Sequence, residues 1–110
     1  MSELTKLQAP IDIEIVNSMI ESTPEEWTEI VLILTRINPK YEIGDFTHEL
    51  YSPEGFPPVA PVESLFIATF KLDKLLQAHG GFIGKATYSA KFTEGNWSYT
   101  ANFGYLPSTP

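Results

Sequence analysis

The chain contains no cysteine. This excludes disulfides, thiolate-bound metal and a cysteine nucleophile, and it is compatible with a reducing cytosol. Imidazole is nearly as scarce, with His48 and His79 the only two, and neither lies at a metal-binding spacing from other ligands. On a strand, adjacent His48 and Glu49 point to opposite faces, so both histidines read as structural or surface residues. Long apolar runs are missing as well. The longest, residues 30–34, is too short to cross a bilayer, and the opening MSELTKLQAP lacks both the basic start and the apolar stretch of a signal peptide. A cytoplasmic protein without membrane segments is expected.

Catalytic signatures are equally absent. There is no phosphate-cradling glycine loop, no nucleophile elbow and no EF-hand spacing. Gly80-Gly81-Phe82-Ile83-Gly84 follows a helical pattern rather than a strand, which makes it a helix C-cap. Glu25 and Glu26 are neighbours in a turn and diverge, and a capping role accounts for them. The sequence therefore points to no enzyme, no metal and no other cofactor.

Basic residues are scarce and unevenly placed. Twelve of the fourteen acidic residues but only three of the seven basic ones precede Ser64, so the first part carries −9 and the remainder +2. Such an acidic half argues against direct binding of nucleic acid or an anionic membrane and favours a basic partner.

At 110 residues the chain is a single domain with room for a core. Residues 86–105, ATYSAKFTEGNWSYTANFGY, alternate apolar and polar on both sides of Gly95-Asn96, the pattern of an antiparallel hairpin. With Gly95-Asn96 as the turn, Phe92 faces Tyr99, Ala90 faces Ala101 and Tyr88 faces Phe103, all on an apolar face meant for the core. Residues 10–21 read as a first helix opening at Pro10, with Ile11, Ile15 and Met19 as its stripe, although the alternation of Ile11, Ile13 and Ile15 also fits a short strand. Thr23-Pro24-Glu25-Glu26 has the form of a capping box over one short helical turn. Residues 27–37 are dense in β-branched residues and apolar on both parities across 30–34, as in a strand buried on both faces or placed centrally in a sheet. Asn38-Pro39-Lys40 ends that strand, and residues 41–51 form a second one interrupted at Gly44-Asp45. A proline-rich loop over 52–61 precedes a second helix over 62–79, whose row Leu65, Thr69, Leu72 and Leu76 runs beside Phe66 and Phe70. The whole is an α+β domain with an antiparallel sheet of about four strands and two helices, in the order α-β-β-α-β-β.

Candidate binding residues lie in the acidic half. Tyr41, Tyr51 and Phe56 stand among Glu42, Asp45, Glu49 and Glu54, and rings among carboxylates suit a basic protein, with charge for steering and buried rings for affinity. Tyr51 and Phe56 equally suit a second role, folding back to plug the edge of the core. A different class of function is a small-ligand or accessory domain with a pocket lined by Tyr88, Tyr99, Phe66 and Phe70.

The succession Thr23-Pro24-Glu25-Glu26-Trp27 followed at once by Thr28-Glu29-Ile30-Val31-Leu32 resembles the Pro-Glu-Glu-Trp segment of the YezG-like immunity proteins. The closing Phe103-Gly104-Tyr105 is compatible with the same layout, whereas Asn38-Pro39-Lys40 and the 52–61 loop depart from it. The resemblance implies a cytosolic, non-enzymatic immunity protein of contact-dependent inhibition and related toxin systems. Its implied partner is a cognate basic toxin domain, often a nuclease, and neither nucleic acid nor membrane is bound directly.

Overall fold

A computed structural model describes residues 2–38 and 42–107. Its elements are α1 (Glu3–Ser22), β1 (Glu29–Arg36), β2 (Phe46–Tyr51), α2 (Glu63–Ala78), β3 (Phe82–Thr93) and β4 (Asn96–Leu106). The α-β-β-α-β-β order read from the sequence is the order observed, and the four strands form one antiparallel sheet, β2-β1-β3-β4.

Both helices pack on one face of that sheet. Ile15, Val16 and Met19 of α1 and Leu65, Ala68, Leu72 and Leu76 of α2 meet Ile30, Leu32 and Leu34 of β1, with Ile83, Ala86, Tyr88 and Ala90 of β3 beside them. Fully burying a leucine or isoleucine side chain contributes roughly 1.5–3 kcal/mol, so this single layer is the main source of stability. The helices run antiparallel, tied by the Ser22 hydroxyl to the Val62 N–H, by Ser18 to Ser64, and by Lys71 to Glu14. The other face of the sheet is open. Of the two readings of the 30–34 run, the central position holds and burial on both faces does not: Val31 and Ile33 are only half-buried there, screened by adjacent strands rather than by a second layer. Around them lie Thr35, Thr47, Thr87, Ser89, Thr100 and Asn102.

Three local expectations are corrected. The first helix begins seven residues earlier than Pro10, at Glu3. The Ser2 hydroxyl caps it by accepting from Thr5 N–H, Leu4 and Ile11 pack on the core, and Pro10 is carried inside the helix. The capping box does not form, because the Thr23 hydroxyl turns back to donate to Ile20 C=O, leaving a plain turn closed by Trp27 N–H to Pro24 C=O. The hairpin turn is Glu94-Gly95 rather than Gly95-Asn96, with φ of 52° and 83°. A two-residue turn of this hand needs positive φ at both positions, which Gly95 adopts without strain. Thr93 therefore pairs with Asn96, Phe92 with Trp97, Ala90 with Tyr99 and Tyr88 with Ala101. Moving the turn by one residue moves each pairing by two, so the apolar face is preserved. That face is core along β3 but only half-buried along β4, the sheet edge.

Two buried polar groups cross the layers. The Tyr88 hydroxyl donates to the Asp12 carboxylate at 2.5 Å, and Gln8 Nε2 adds a bond at 3.4 Å. Burial pushes the Asp12 carboxyl above its ordinary range while these two bonds draw it back, and burial likewise raises the Tyr88 phenol. The second group is an ion pair. Arg36 Nη2 donates to Asp73 Oδ1 at 2.8 Å, with side-chain exposures of 2% and 0%. Nε donates to Ile83 C=O at 2.7 Å, Nη1 to Glu42 C=O at 2.9 Å, and the guanidinium lies 4.7 Å from the Phe46 ring centre. Asp73 Oδ2 accepts from Gly44 N–H at 2.8 Å and from Gln77 Nε2 at 3.2 Å.

Truncating one member of such a pair strands a buried charge. Asp73→Ala should therefore destabilise the fold by about 3–5 kcal/mol, and the double variant Arg36→Met/Asp73→Leu should be more stable than Asp73→Ala. Urea unfolding checks both, and a double variant weaker than Asp73→Ala would contradict the account.

Candidate partner-binding face

The edge of the sheet at β2 gathers the features that a protein-binding face requires. On β2, Phe46 and Leu50 point under the helices, and His48, between them, is half-buried beneath α2. His48 Nε2 lies 2.8 Å from Thr69 Oγ1, with donor and acceptor set by the His48 tautomer, and the Thr69 hydroxyl also lies 3.1 Å from Phe66 C=O. The His48 ring stands 4.5 Å from the Phe66 ring, tilted by 59°.

Phe66 and Phe70 lie one helical turn apart on the outer side of α2, 45% and 46% exposed. Phe70 leans on the 43–45 turn so closely that a Cβ at Gly44 would meet its ring at 2.7 Å. Gly44 also has φ of +78°, so the position demands glycine twice over. Ile43, 40% exposed, extends the apolar strip, and Glu42 and Asp45 bracket the turn. The backbone of this turn is held by Arg36 and Asp73 and by Ile37 N–H to Asp45 C=O, with Glu42 exposed and Asp45 half-buried on either side of the residue that meets Phe70.

The residues singled out from the sequence separate into groups. Glu42 and Asp45 join the Phe70 strip. Glu49 is exposed and Tyr51 half-buried on the open face of the same strand, opposite Ile33 and Val31. Glu54 and Phe56 are instead structural. The Glu54 carboxylate accepts from Thr28 N–H, Thr28 Oγ1 and Glu29 N–H at 2.8–3.0 Å, bonds that hold it below the ordinary carboxylate range. Phe56 stacks on buried Trp27 with ring centres 5.7 Å apart, so it plugs the core edge. Tyr41 lies outside the described residues. Among the described residues no cluster of His, Asp or Glu is arranged to hold a metal ion, and no helix is long and apolar enough to cross a membrane.

Phe66 and Phe70 are candidate binding residues that the sequence places differently. They were expected to line a pocket with Tyr88 and Tyr99, but they face outward while Tyr88 is buried against Asp12, so the four rings share no pocket. The signal was present: α2 carries Phe66, Ile67 and Phe70 in addition to its buried row, more apolar surface than one core-facing stripe uses. A cavity of about 160 Å³ opens elsewhere, between Ile20, Thr23, Pro24, Glu25, Trp27 and Trp97. The chain matches no protein-family model, no curated protein and no solved structure.

Burial disfavours the His48 imidazolium and lowers its pKa from 6.5, an effect the Phe46 backbone partly offsets. The stability owed to the neutral ring is complete above pH 6.5 and is lost as pH falls through the lower folded value. Wild type should accordingly lose stability relative to His48→Gln on the acid side of pH 6.5, measured by urea unfolding across pH. Parallel curves would contradict the assignment.

Proposed function

We propose that this chain is a non-enzymatic immunity protein that binds and neutralises a basic bacterial toxin domain. The observation that carries this reading is the Phe66–Phe70 strip packed against the turn bearing Glu42 and Asp45, with Glu49 around the strand edge. Exposed rings provide surface to bury, and the carboxylates provide attraction for a cationic partner. The acidic excess of the first half and the resemblance around residues 23–32 support the same conclusion. For an inhibitor that must outrun a toxin, charge is useful mainly through the association rate, which electrostatic steering raises by 10–10³-fold (order of magnitude) at low salt.

The roles divide cleanly between charge and rings. Reversing Glu42, Asp45 and Glu49 to lysine should slow association by about tenfold or more at low salt and flatten its salt dependence, with dissociation little changed. Phe66→Ala/Phe70→Ala should leave association nearly intact and speed dissociation by roughly a hundredfold, as expected for a central pair of aromatic anchors. A basic toxin domain is expected to be encoded beside this gene, and both effects are read by stopped-flow or surface binding to that candidate domain. Co-expression with that domain should restore growth, and failure of the wild-type chain either to bind or to rescue would defeat the proposal.

A further inference from the structure

The two edges of the sheet are treated differently. At β2 the 52–61 loop with its four prolines returns along the strand, and Val59 N–H donates to Leu50 C=O at 3.4 Å, which blunts that edge. At β4 nothing comparable happens. This strand pairs only with β3, and among the described residues no loop or turn backbone bonds to it. Its eleven residues include neither a charge nor a proline. Such a long, uncharged edge is a template for another strand, and proteins that avoid pairing normally interrupt it.

The register says which groups are free. Thr93 and Asn96 close the two-residue turn, so hydrogen-bonded pairs alternate outward from them and the even-numbered residues of β4 bond to β3. Phe92 agrees, since its N–H points away from β4 to Thr28 C=O at 2.8 Å. Trp97, Tyr99, Ala101, Phe103 and Tyr105 consequently turn their backbone N–H and C=O groups to the open edge. The centre of this set is Ala101, which is also the midpoint of the strand.

We propose that β4 pairs antiparallel with β4 of a second copy about a two-fold axis at Ala101, continuing the sheet through both chains. That register sets Tyr99 opposite Phe103 of the second copy and Trp97 opposite Tyr105 of the second copy. On the open face it sets Thr100 opposite Asn102. Rings meet rings and polar groups meet polar groups, while two small alanines lie on the axis. Tyr105, 55% exposed in the single chain, is covered beside Trp97 and its cavity. A chain of charge −7 resists self-association across most of its surface, and β4 is the strand on which that repulsion is least. The β2 and α2 face lies at the opposite edge and stays free, so this pairing does not depend on the toxin reading.

The test is the mass of the full-length chain by sedimentation and light scattering over concentrations up to the millimolar range. Wild type should reach twice the 12.3 kDa of one chain. Thr100→Glu/Asn102→Glu, at two exposed positions, faces like charges across the axis and should weaken pairing by roughly tenfold or more with an unchanged circular dichroism spectrum. Thr100→Lys/Asn102→Lys should behave likewise, and mixing the two variants should restore a mixed dimer. Wild type that stays monomeric throughout, a glutamate variant that pairs as tightly as wild type, or a mixture that fails to pair would each overturn the proposal. So would a monomer whose β4 accepts a strand only from the basic partner.

Discussion

The ion pair between Arg36 and Asp73 is the constraint on which the rest of the structure depends. Arg36 ends the central strand, Asp73 lies midway along α2, and between them they bond to the 42–44 turn and to Ile83 at the start of β3. A buried charge pair of this kind adds little net stability compared with apolar residues, yet it penalises any arrangement in which one partner is missing. Its contribution is therefore to geometry. It sets the height of α2 above the sheet and the path of the chain entering β2, and both determine where Phe70 meets Gly44.

From that geometry the candidate face follows. Because α2 is held by its inner row and by Asp73, its surplus apolar residues are left on the outside, next to an edge strand rather than over the middle of the core. Because the turn backbone is used up by Arg36 and Asp73, the carboxylates of Glu42 and Asp45 are not consumed in holding the turn. The opposite happens at Glu54, whose carboxylate fastens the 52–56 segment to the start of β1 and is spent on structure. Two glutamates in one acidic segment thus do different jobs, distinguished by which backbone N–H groups lie within reach.

Much of the fold was legible because it rests on local patterns. The period-two alternation of 86–105 marks the hairpin, the double-parity run at 30–34 marks the central strand, and the Leu65-Thr69-Leu72-Leu76 row marks α2. What escaped depends on partners distant in sequence or on competition between weak local signals. Arg36 and Asp73 are 37 residues apart, and nothing near either announces the other. Pro10 looks like a helix start, but Ser2 and the packing of Leu4 extend the helix through it. Glu94-Gly95 and Gly95-Asn96 are both acceptable turns, and the pairing of Phe92 with Trp97 is realised only with the first. At the candidate site, Glu42, Asp45 and Glu49 are visible as charge, but of the rings read beside them Phe56 stacks on Trp27, Tyr51 is half-buried on the open face and Tyr41 lies outside the described residues. The candidate anchor, Phe66 with Phe70, reads in the sequence as part of an apolar helix or as pocket lining, because which side of a helix faces solvent is decided by tertiary packing.

The central claim is that a basic partner seats on the strip formed by Phe66, Phe70 and the 42–49 segment. Amide hydrogen exchange of the full chain with and without the toxin domain tests it most directly. Slowed exchange concentrated in the 42–49 segment and in α2, with the open-face strands β1 and β3 unchanged, is the expected footprint. Protection that spares α2 and the 42–49 segment while appearing elsewhere on the sheet would contradict the claim.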